Sequence, residues 1–549
     1  MLTGVSGRPG TARAARQAHW GRTSRRGRAA WIIGTVVVGV ALFTCYLRQS
    51  RTISAGSDGA SQALQAWDML HGNLLLHGWW VTDVSFYSTE LPQYMVLEFL
   101  RGLSPDVMHV GGAMTYTLLV LAAAAVAKGR ATGQAGLLRA VTAGGIMLAP
   151  QLGAGTQTLV LSPDHTGTGV PVLLVWLIID RAPRRYAPVL VWLGLALTAL
   201  ADAMTLFVAV IPLALVCALR VARDAAGNRV PLREHRFELA LLAAAVLAVP
   251  AELAATALIR AHGGWQVNGL STALAGAGRA GGNARLAGEG LLELFGADVF
   301  GAASTGSGLA VAFAAVHLAG VALAAAALIG TARRLSRRTA TADLLQGVLL
   351  TGIVVDIAAY LAGVQAVNIS STREIAPVLP FAAVLAGRVA GDRLLASLPA
   401  VRYGLCVVLA LYAAMLGYAA AQPPAAPQYA DLAAWLPAHH LAAGLSGYHQ
   451  ANIVTLESGG AITLRPVTAS DGGVRAYTWN ASTAWFDQVA HAATFLVLTG
   501  ARVPGSAGGS DMTTSQAVAT FGRPARTYRY RGYLILVWPR GENLLARLG

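Results

Sequence analysis

The sequence predicts a mainly α, polytopic membrane bundle that ends in a small α/β domain outside the membrane. Three observations carry this reading. The chain of 549 residues is 55% hydrophobic and only 12% charged, where a soluble domain carries about a quarter charged residues. Apolar runs recur through the first 421 residues at lengths suited to crossing lipid. Beyond Pro423, Pro424 and Pro427 the long runs give way to short apolar stretches bounded by turns.

Residues 1–28 are a basic tail, with Arg22, Arg25, Arg26 and Arg28 beside the first apolar run. That run, 29–47, is long for the core of a signal peptide, and no small-residue cleavage site follows. It reads as a retained anchor. A spanning helix needs roughly 20 apolar residues. Candidate spans lie at 29–47, 107–127, 139–154, 169–181, 187–201, 203–220, 238–259, 306–330, 343–363, 375–391 and 402–421, about 11 in all. Alternate loops hold the arginines: Arg130 and Arg139, Arg184 and Arg185, Arg223 and Arg233, Arg333 and Arg334, Arg388 and Arg393. The positive-inside rule then sets the N-terminus inside and the C-terminus outside. Arginines at span ends also account for the net charge of +15 without invoking nucleic acid. The three cysteines, Cys45, Cys217 and Cys406, sit in apolar runs, so no disulfide framework or cysteine metal site is expected.

The expected units are a transmembrane domain, 29–421, and an extracytoplasmic α/β domain, 422–549. Two outer loops are long, 48–106 and 260–305. The second contains GAGRAGGNARLAGEG and is expected to be mobile. In the C-terminal domain, AITLRPV, ATFLVLTG and YRGYLILVWPR read as strands, and TTSQAVATFG as a short helix. No internal repeat is evident.

Ionisable chemistry concentrates in the first outer loop. Residues 57–90 hold Asp58, Asp68, Asp83, Glu90, His71, His77, Trp67, Trp79 and Trp80. Asp58 follows the first span closely and is flanked by Gly56 and Gly59. A carboxylate there suits a general base or a metal ligand, or simply a solvated loop acid. Residues 60, 63, 64, 67 and 70 are apolar at helical spacing, a pattern for a helix lying flat on the membrane. Asp68 suits the helix–loop junction. Trp79, Trp80, Phe86, Tyr87 and Tyr94 form either a platform for a sugar ring or prenyl chain, or an interfacial aromatic belt. Asp83 and Glu90 sit among them, Glu90 at a helix start before Pro92.

Three further sites belong to the same face. In SPDHTGTG, Asp164 and His165 stand adjacent at a span mouth, where Asp164 is either a helix cap or part of a site. Asp202 lies between two apolar runs and must cap a helix or face a cavity. In VNISSTREIAP, Arg373 offers a planar fork for phosphate, and Glu374 is its neighbour, alternatively its ion-pair partner. Asp58, Glu90, Asp164, His165, Asp202 and Arg373 are expected to converge on one polar cavity. Polar GYHQAN, 447–452, is either a glycan contact or a piece of the C-terminal fold.

With these residues in place, the chain resembles the GT-C superfamily of membrane glycosyltransferases, which includes protein mannosyltransferases, aminoarabinose transferases and arabinofuranosyltransferases. The shared features are an N-in first span, an acid early in a long first outer loop, about eleven spans and an outer C-terminal domain. The text SDGA…AWDMLHGN…HGWW…DVSFY.TELPQY, SPDHTGTG, GLSGYHQANIVTLESGG and FGRPARTY is similar to actinobacterial integral membrane proteins without an assigned substrate. The resemblance implies transfer of a sugar from a polyprenyl-phosphate donor to an envelope acceptor, at the outer face of a bacterial plasma membrane. It implies Asp58 as base or metal contact, with Glu90, Asp164 and His165 as further catalytic candidates. Arg373 becomes the phosphate contact, and Asp83, Asp202, Trp79, Tyr87 and Glu374 substrate-binding candidates. The frequent second acid of the family is absent, because Gly59 follows Asp58. A divalent ion, Mg or Mn, is the one candidate cofactor, with Asp58 and Asp164 as its ligands. The alternatives are a lipid-linked sugar flippase, or a non-catalytic membrane protein that binds envelope glycan.

Overall fold

The computed structural model describes residues 25–149, 154–161, 165–226, 232–268, 273–336, 343–395, 399–499 and 512–548. The first apolar run forms α1 (Arg25–Ser50). The first long connection then folds: α2 (Ser57–Leu70), β1 (Trp79–Val81) and α3 (Glu90–Arg101) lead to α4 (Asp106–Lys128). Helices α5 (Gly133–Ile146), α6 (Gly169–Arg181), α7 (Ala187–Ala201), α8 (Ile211–Ala226) and α9 (Arg236–Ala261) follow. The second long connection carries β2 (Gln266–Val267), α10 (Ala280–Leu294) and α11 (Val299–Ser304). Three long helices close the bundle's first 395 residues: α12 (Gly308–Ser336), α13 (Leu344–Ala362) and α14 (Val378–Leu395), with α15 (Pro399–Ala420) last.

Seven of these helical stretches are long and apolar enough to cross a membrane, and an eighth if the bent pair Ile369–Ile375 and Val378–Gly391 counts as one span. The chain is a multi-pass membrane protein, because only helices that satisfy their own backbone cross lipid in this way. Three of the eleven expected spans correspond to shorter helices among the described residues. The readings at 139–154, 169–181 and 187–201 become α5, α6 and α7, with 14, 13 and 15 residues. At about 1.5 Å per residue, each falls short of a hydrocarbon core of about 30 Å. Half of α6 is buried against protein, including Trp176 at 0% exposure. Its apolarity therefore serves packing as much as lipid.

The two long connections are more ordered than the sequence suggested. Ten of the fourteen residues of α2 are buried, so it lies between protein surfaces and not flat on a membrane. Residues 280–294 are helical, not a loose Gly-rich loop. Asn283 anchors α10 by donating to the carbonyls of Leu361 and Gly363, both at 3.0 Å. Gly290 packs so close to Thr372 that a β-carbon would come within 2.4 Å of its hydroxyl. Here glycine serves close approach, not mobility.

Beyond α15 stand α16 (Ala430–Ala438), β3 (Ala443–Gly447), α17 (Tyr448–Glu457), β4 (Thr463–Ser470), β5 (Gly473–Ala476), β6 (Ala481–Ser482), β7 (Phe495–Thr499), α18 (Thr514–Phe521), β8 (Arg526–Tyr530) and β9 (Tyr533–Val537). Six of the strands form one sheet in the order β5-β4-β3-β7-β9-β8, with β3 parallel to both neighbours. The predicted strands and the helix at 514–521 are all present. A second sheet, β2-β1-β6, draws one strand from each of three distant segments. One apolar core runs through the helix bundle; another joins α2 and α3 to the C-terminal sheet, through Leu91, Trp79, Ile453 and Phe495.

Candidate active site

Four connections meet at the end of the bundle nearest the C-terminal domain. The first is the turn before α6. His165 sits there, 4% exposed. Its Nδ1 lies 2.8 Å from Asp202 Oδ2 and its Nε2 3.0 Å from Glu374 Oε2. Each carboxylate oxygen can only accept, so both ring nitrogens donate and the ring is an imidazolium. Burial opposes that charge, but Asp202 and Glu374 outweigh it and hold the His165 pKa well above the usual imidazole range.

Asp202 ends α7. Its Oδ1 accepts from the Met204 amide at 2.8 Å, and its Oδ2 also accepts from the Thr168 hydroxyl. Burial pushes its pKa up, but His165 and these donors prevail and hold it below the usual carboxylate range. Asp202 is thus both a structural end-piece of α7 and part of the cluster.

Glu374 comes from the short helix Ile369–Ile375, which meets α14 at a 51° break. Pro377 explains the break, since it disfavours helix in the residue before it. Arg373 Nε lies 3.6 Å from Glu374 Oε1, and the Arg373 side chain is 42% exposed. Glu374 is largely covered, so the pair sets an accessible guanidinium at the edge of a buried ion cluster.

Asp83 reaches the cluster because its strand-like neighbour Val84 bridges to Asp202. The amides of Ser85 and Phe86 both donate to the Ala201 carbonyl, at 2.9 and 3.1 Å. Burial raises the Asp83 pKa; the His165 charge opposes this, and Glu374 and Asp202 add to it. Asp356, inside α13, interacts with the same three groups. It is 3% exposed, and its Oδ2 has no hydrogen-bond partner among the described residues. Sequence reasoning passed over it; the signal was a lone acid inside the apolar run TGIVVDIAAYLA.

Glu90, 4% exposed, opens α3. A β-carbon on Gly167 would fall 1.3 Å from its Oε1, so the carboxylate lies against the His165 turn. Asp58 comes from a different helix of the same connection. It is exposed in the first turn of α2 and accepts from the Tyr448 hydroxyl at 2.6 Å. Around it, Ser57 Oγ donates to the His449 carbonyl at 2.9 Å, and Gln65 Nε2 to Asn480 Oδ1 at 2.7 Å. Asp58 thus lies where α2 meets the C-terminal domain. Asp164 lies outside the described residues.

Several expectations about side chains change. Trp79 is neither a platform nor an interfacial anchor: it is 1% exposed, donates to Asp68 Oδ2 at 2.8 Å, and meets Trp485 edge-on at 4.8 Å. Asp68 does sit at the helix–loop junction, accepting also from Asn73. Tyr87 is half-buried and spends its hydroxyl on the Leu74 carbonyl at 3.0 Å. Tyr448, Gln450 and Asn452 are 4%, 2% and 0% exposed, which takes them off any glycan-facing surface. His77 bonds the Gly263 carbonyl at 2.9 Å.

No group of three His, Cys, Asp or Glu among the described residues is arranged to hold a metal ion. The chemistry of the cluster agrees: a metal-binding imidazole needs a free lone pair, and both His165 nitrogens donate to carboxylates. His165 is therefore not a metal ligand in this arrangement, and Asp164, the expected partner of Asp58 at an ion, lies outside the described residues.

No protein-family model matches the chain, and no curated protein matches it in sequence. Solved structures do match in fold. The structure of ArnT from Cupriavidus metallidurans bound to undecaprenyl phosphate is similar with a TM-score of 0.51 at 14% identity, over 93% of this chain and 98% of that one. ArnT from the same organism in the apo state gives 0.52 at 15% identity, over 95% and 99%. The chain therefore has an ArnT-like membrane fold along nearly its whole length, with its imidazolium cluster at the bundle end that meets the C-terminal sheet.

Proposed function

We propose that the protein is a GT-C-type glycosyltransferase that moves a sugar from a polyprenyl-phosphate donor to a cell-envelope acceptor at the outer face of the plasma membrane. One observation carries the reading: Arg373 holds an accessible guanidinium beside the buried His165–Glu374–Asp202 cluster, in a fold similar to a protein bound to undecaprenyl phosphate. A cavity of about 440 Å³ adjoins the same short helix, with one wall of Ile369, Phe313, Met415 and Tyr418 and a polar side at Glu293 and Asp298. It gives a prenyl chain a place beside the phosphate contact.

In this reading Arg373 grips the donor phosphate with its planar fork. Glu374 orients Arg373, and His165 keeps Glu374 in place. The acceptor oxygen forms its bond to the sugar's anomeric carbon while the carbon–oxygen bond to phosphate breaks. The proton leaves the acceptor for a carboxylate, and the phosphate leaves with the electron pair, stabilised by Arg373. Asp58, exposed at the start of α2 on the same long first connection that carries Asp83 and Glu90 to the cluster, is the proposed base. Glu90, sealed against Gly167, positions the His165 turn. The test is to produce the Asp58→Asn and Arg373→Ala variants in the membrane and measure envelope glycan. Loss of a glycan component in both supports the assignment; unchanged glycan with both variants at normal levels overturns it.

A further inference from the structure

The opposite end of the bundle carries a second site. Helices α12 and α14 leave a crevice there of about 470 Å³, lined by Ala326, Ile329, Gly330, Arg333, Arg334 and Arg393. The arginines come from the last turns of two different helices. Arg333 and Arg393, brought to one crevice from two helices, repel each other less when an anion lies between them. Two acids at this end, Asp180 and Asp343, are committed to another arginine. Arg388, 5% exposed, takes Asp180 Oδ2 at 3.0 Å and Asp343 Oδ2 at 2.6 Å, and donates its Nε to the Val126 carbonyl at 2.9 Å. Among the described residues, Arg333 and Arg393 have no ion pair with a carboxylate.

The remaining wall is apolar and shallow. Ala326 and Gly330 are one helical turn apart and leave a smooth strip on α12, beside Ile329, which is 52% exposed. An apolar strip running into a cluster of arginines matches an acyl chain below a phosphate. Basic pockets between spanning helices recognise anionic headgroups in this manner.

We propose that this crevice binds one anionic phospholipid of the adjoining leaflet. Its phosphate is bridged by Arg333 and Arg393 from the two helices, and an acyl chain lies along Ala326, Ile329 and Gly330. The site is remote from His165 and does not depend on the transferase reading.

The full-length protein, purified in detergent, is mixed with dioleoyl phosphatidylglycerol or dioleoyl phosphatidylcholine and examined by native mass spectrometry. One phosphatidylglycerol is retained per chain, with a preference over phosphatidylcholine of about tenfold or more, as expected for two basic contacts. The Arg333→Gln/Arg393→Gln double variant loses that preference, while Arg184→Gln/Arg185→Gln, altered at the same end outside the crevice, keeps it. Inorganic phosphate at millimolar concentration leaves the lipid in place. Equal retention of the two lipids by the unaltered protein overturns the proposal, and this arm needs no variant to fold. Displacement by phosphate, or equal loss in both double variants, also overturns it, pointing to a free-anion site or to the general positive field.

Discussion

The Glu90 carboxylate occupies the space that a β-carbon on Gly167 would need: the two would meet at 1.3 Å. The turn carrying His165 can therefore close only over a glycine. Gly167→Ala must push Glu90 or the turn aside. Overpacking of this kind costs about 1–3 kcal/mol. The expected result is a lower midpoint in thermal unfolding of the purified protein, together with a reduced yield of the proposed sugar transfer. A midpoint and activity equal to the unaltered protein would show that the turn relaxes freely.

His165→Gln removes the cation between Asp202 and Glu374 and leaves two buried carboxylates facing each other. Breaking a buried pair from one side costs about 3–5 kcal/mol, so this variant should be poorly produced or unfold early. Asp202→Asn in the same background should recover part of the loss, because it removes one stranded charge. Absence of any rescue in the double variant would place the effect outside the ion cluster.

The same cluster fixes a pH response. His165 has a raised folded pKa. Its contribution is complete below the unfolded imidazole value of about 6.5 and fades as pH rises through the higher folded value. Asp202 has a lowered folded pKa. Its contribution is complete above the unfolded carboxylate value of about 3.9 and fades as pH falls through the lower folded value. Both are in place between those unfolded values, so stability should weaken toward alkaline pH, and His165→Gln should flatten that alkaline limb in a series of unfolding curves.

Arg373→Lys keeps the charge and loses the two-pronged fork. If Arg373 grips a phosphate, Arg373→Ala should lower turnover by about 100-fold or more, with Arg373→Lys intermediate. Glycan output from membranes containing equal amounts of each variant reads this directly. Equal activity of the Lys and Ala variants would remove the fork from the argument.

Tyr448→Phe deletes the hydroxyl that Asp58 accepts from at 2.6 Å. The bond runs from a buried tyrosine of the C-terminal domain to a carboxylate of α2, so the loss should be about 1.5–3 kcal/mol. Faster hydrogen exchange in α17, with the bundle unchanged, is the expected sign. A double-mutant comparison with Asp58→Asn separates the shared bond from other effects.

The sequence exposed much of this arrangement, though unevenly. His165, Asp202 and Glu374 stood out because ionisable groups are conspicuous in an apolar setting, and the fold does join them. Asp356 carried the same signal but was absorbed into a span, since a single acid barely lowers the apolarity of nineteen residues. Trp79 and α6 show a different limit. A tryptophan in a core and one at an interface have the same composition, and thirteen apolar residues look alike whether they face lipid or protein. The order of residues 280–294 was hidden because a glycine that permits close packing cannot be told from one that permits motion until Thr372 is seen opposite Gly290. The tie between Asp58 and Tyr448 spans 390 positions, beyond the reach of local pattern.

The small sheet β2-β1-β6 has a mechanical consequence. Its middle strand belongs to the first connection, and its edges to the second connection and the C-terminal domain. Trp80 is paired with Gln266 on one side and Ala481 on the other. The three segments are thereby clasped at a single residue, like leaves pinned on one hinge. Any swing of residues 266–267 must either carry the C-terminal domain along or unfasten Trp80. The two long connections and the C-terminal domain are in this sense geared to one another.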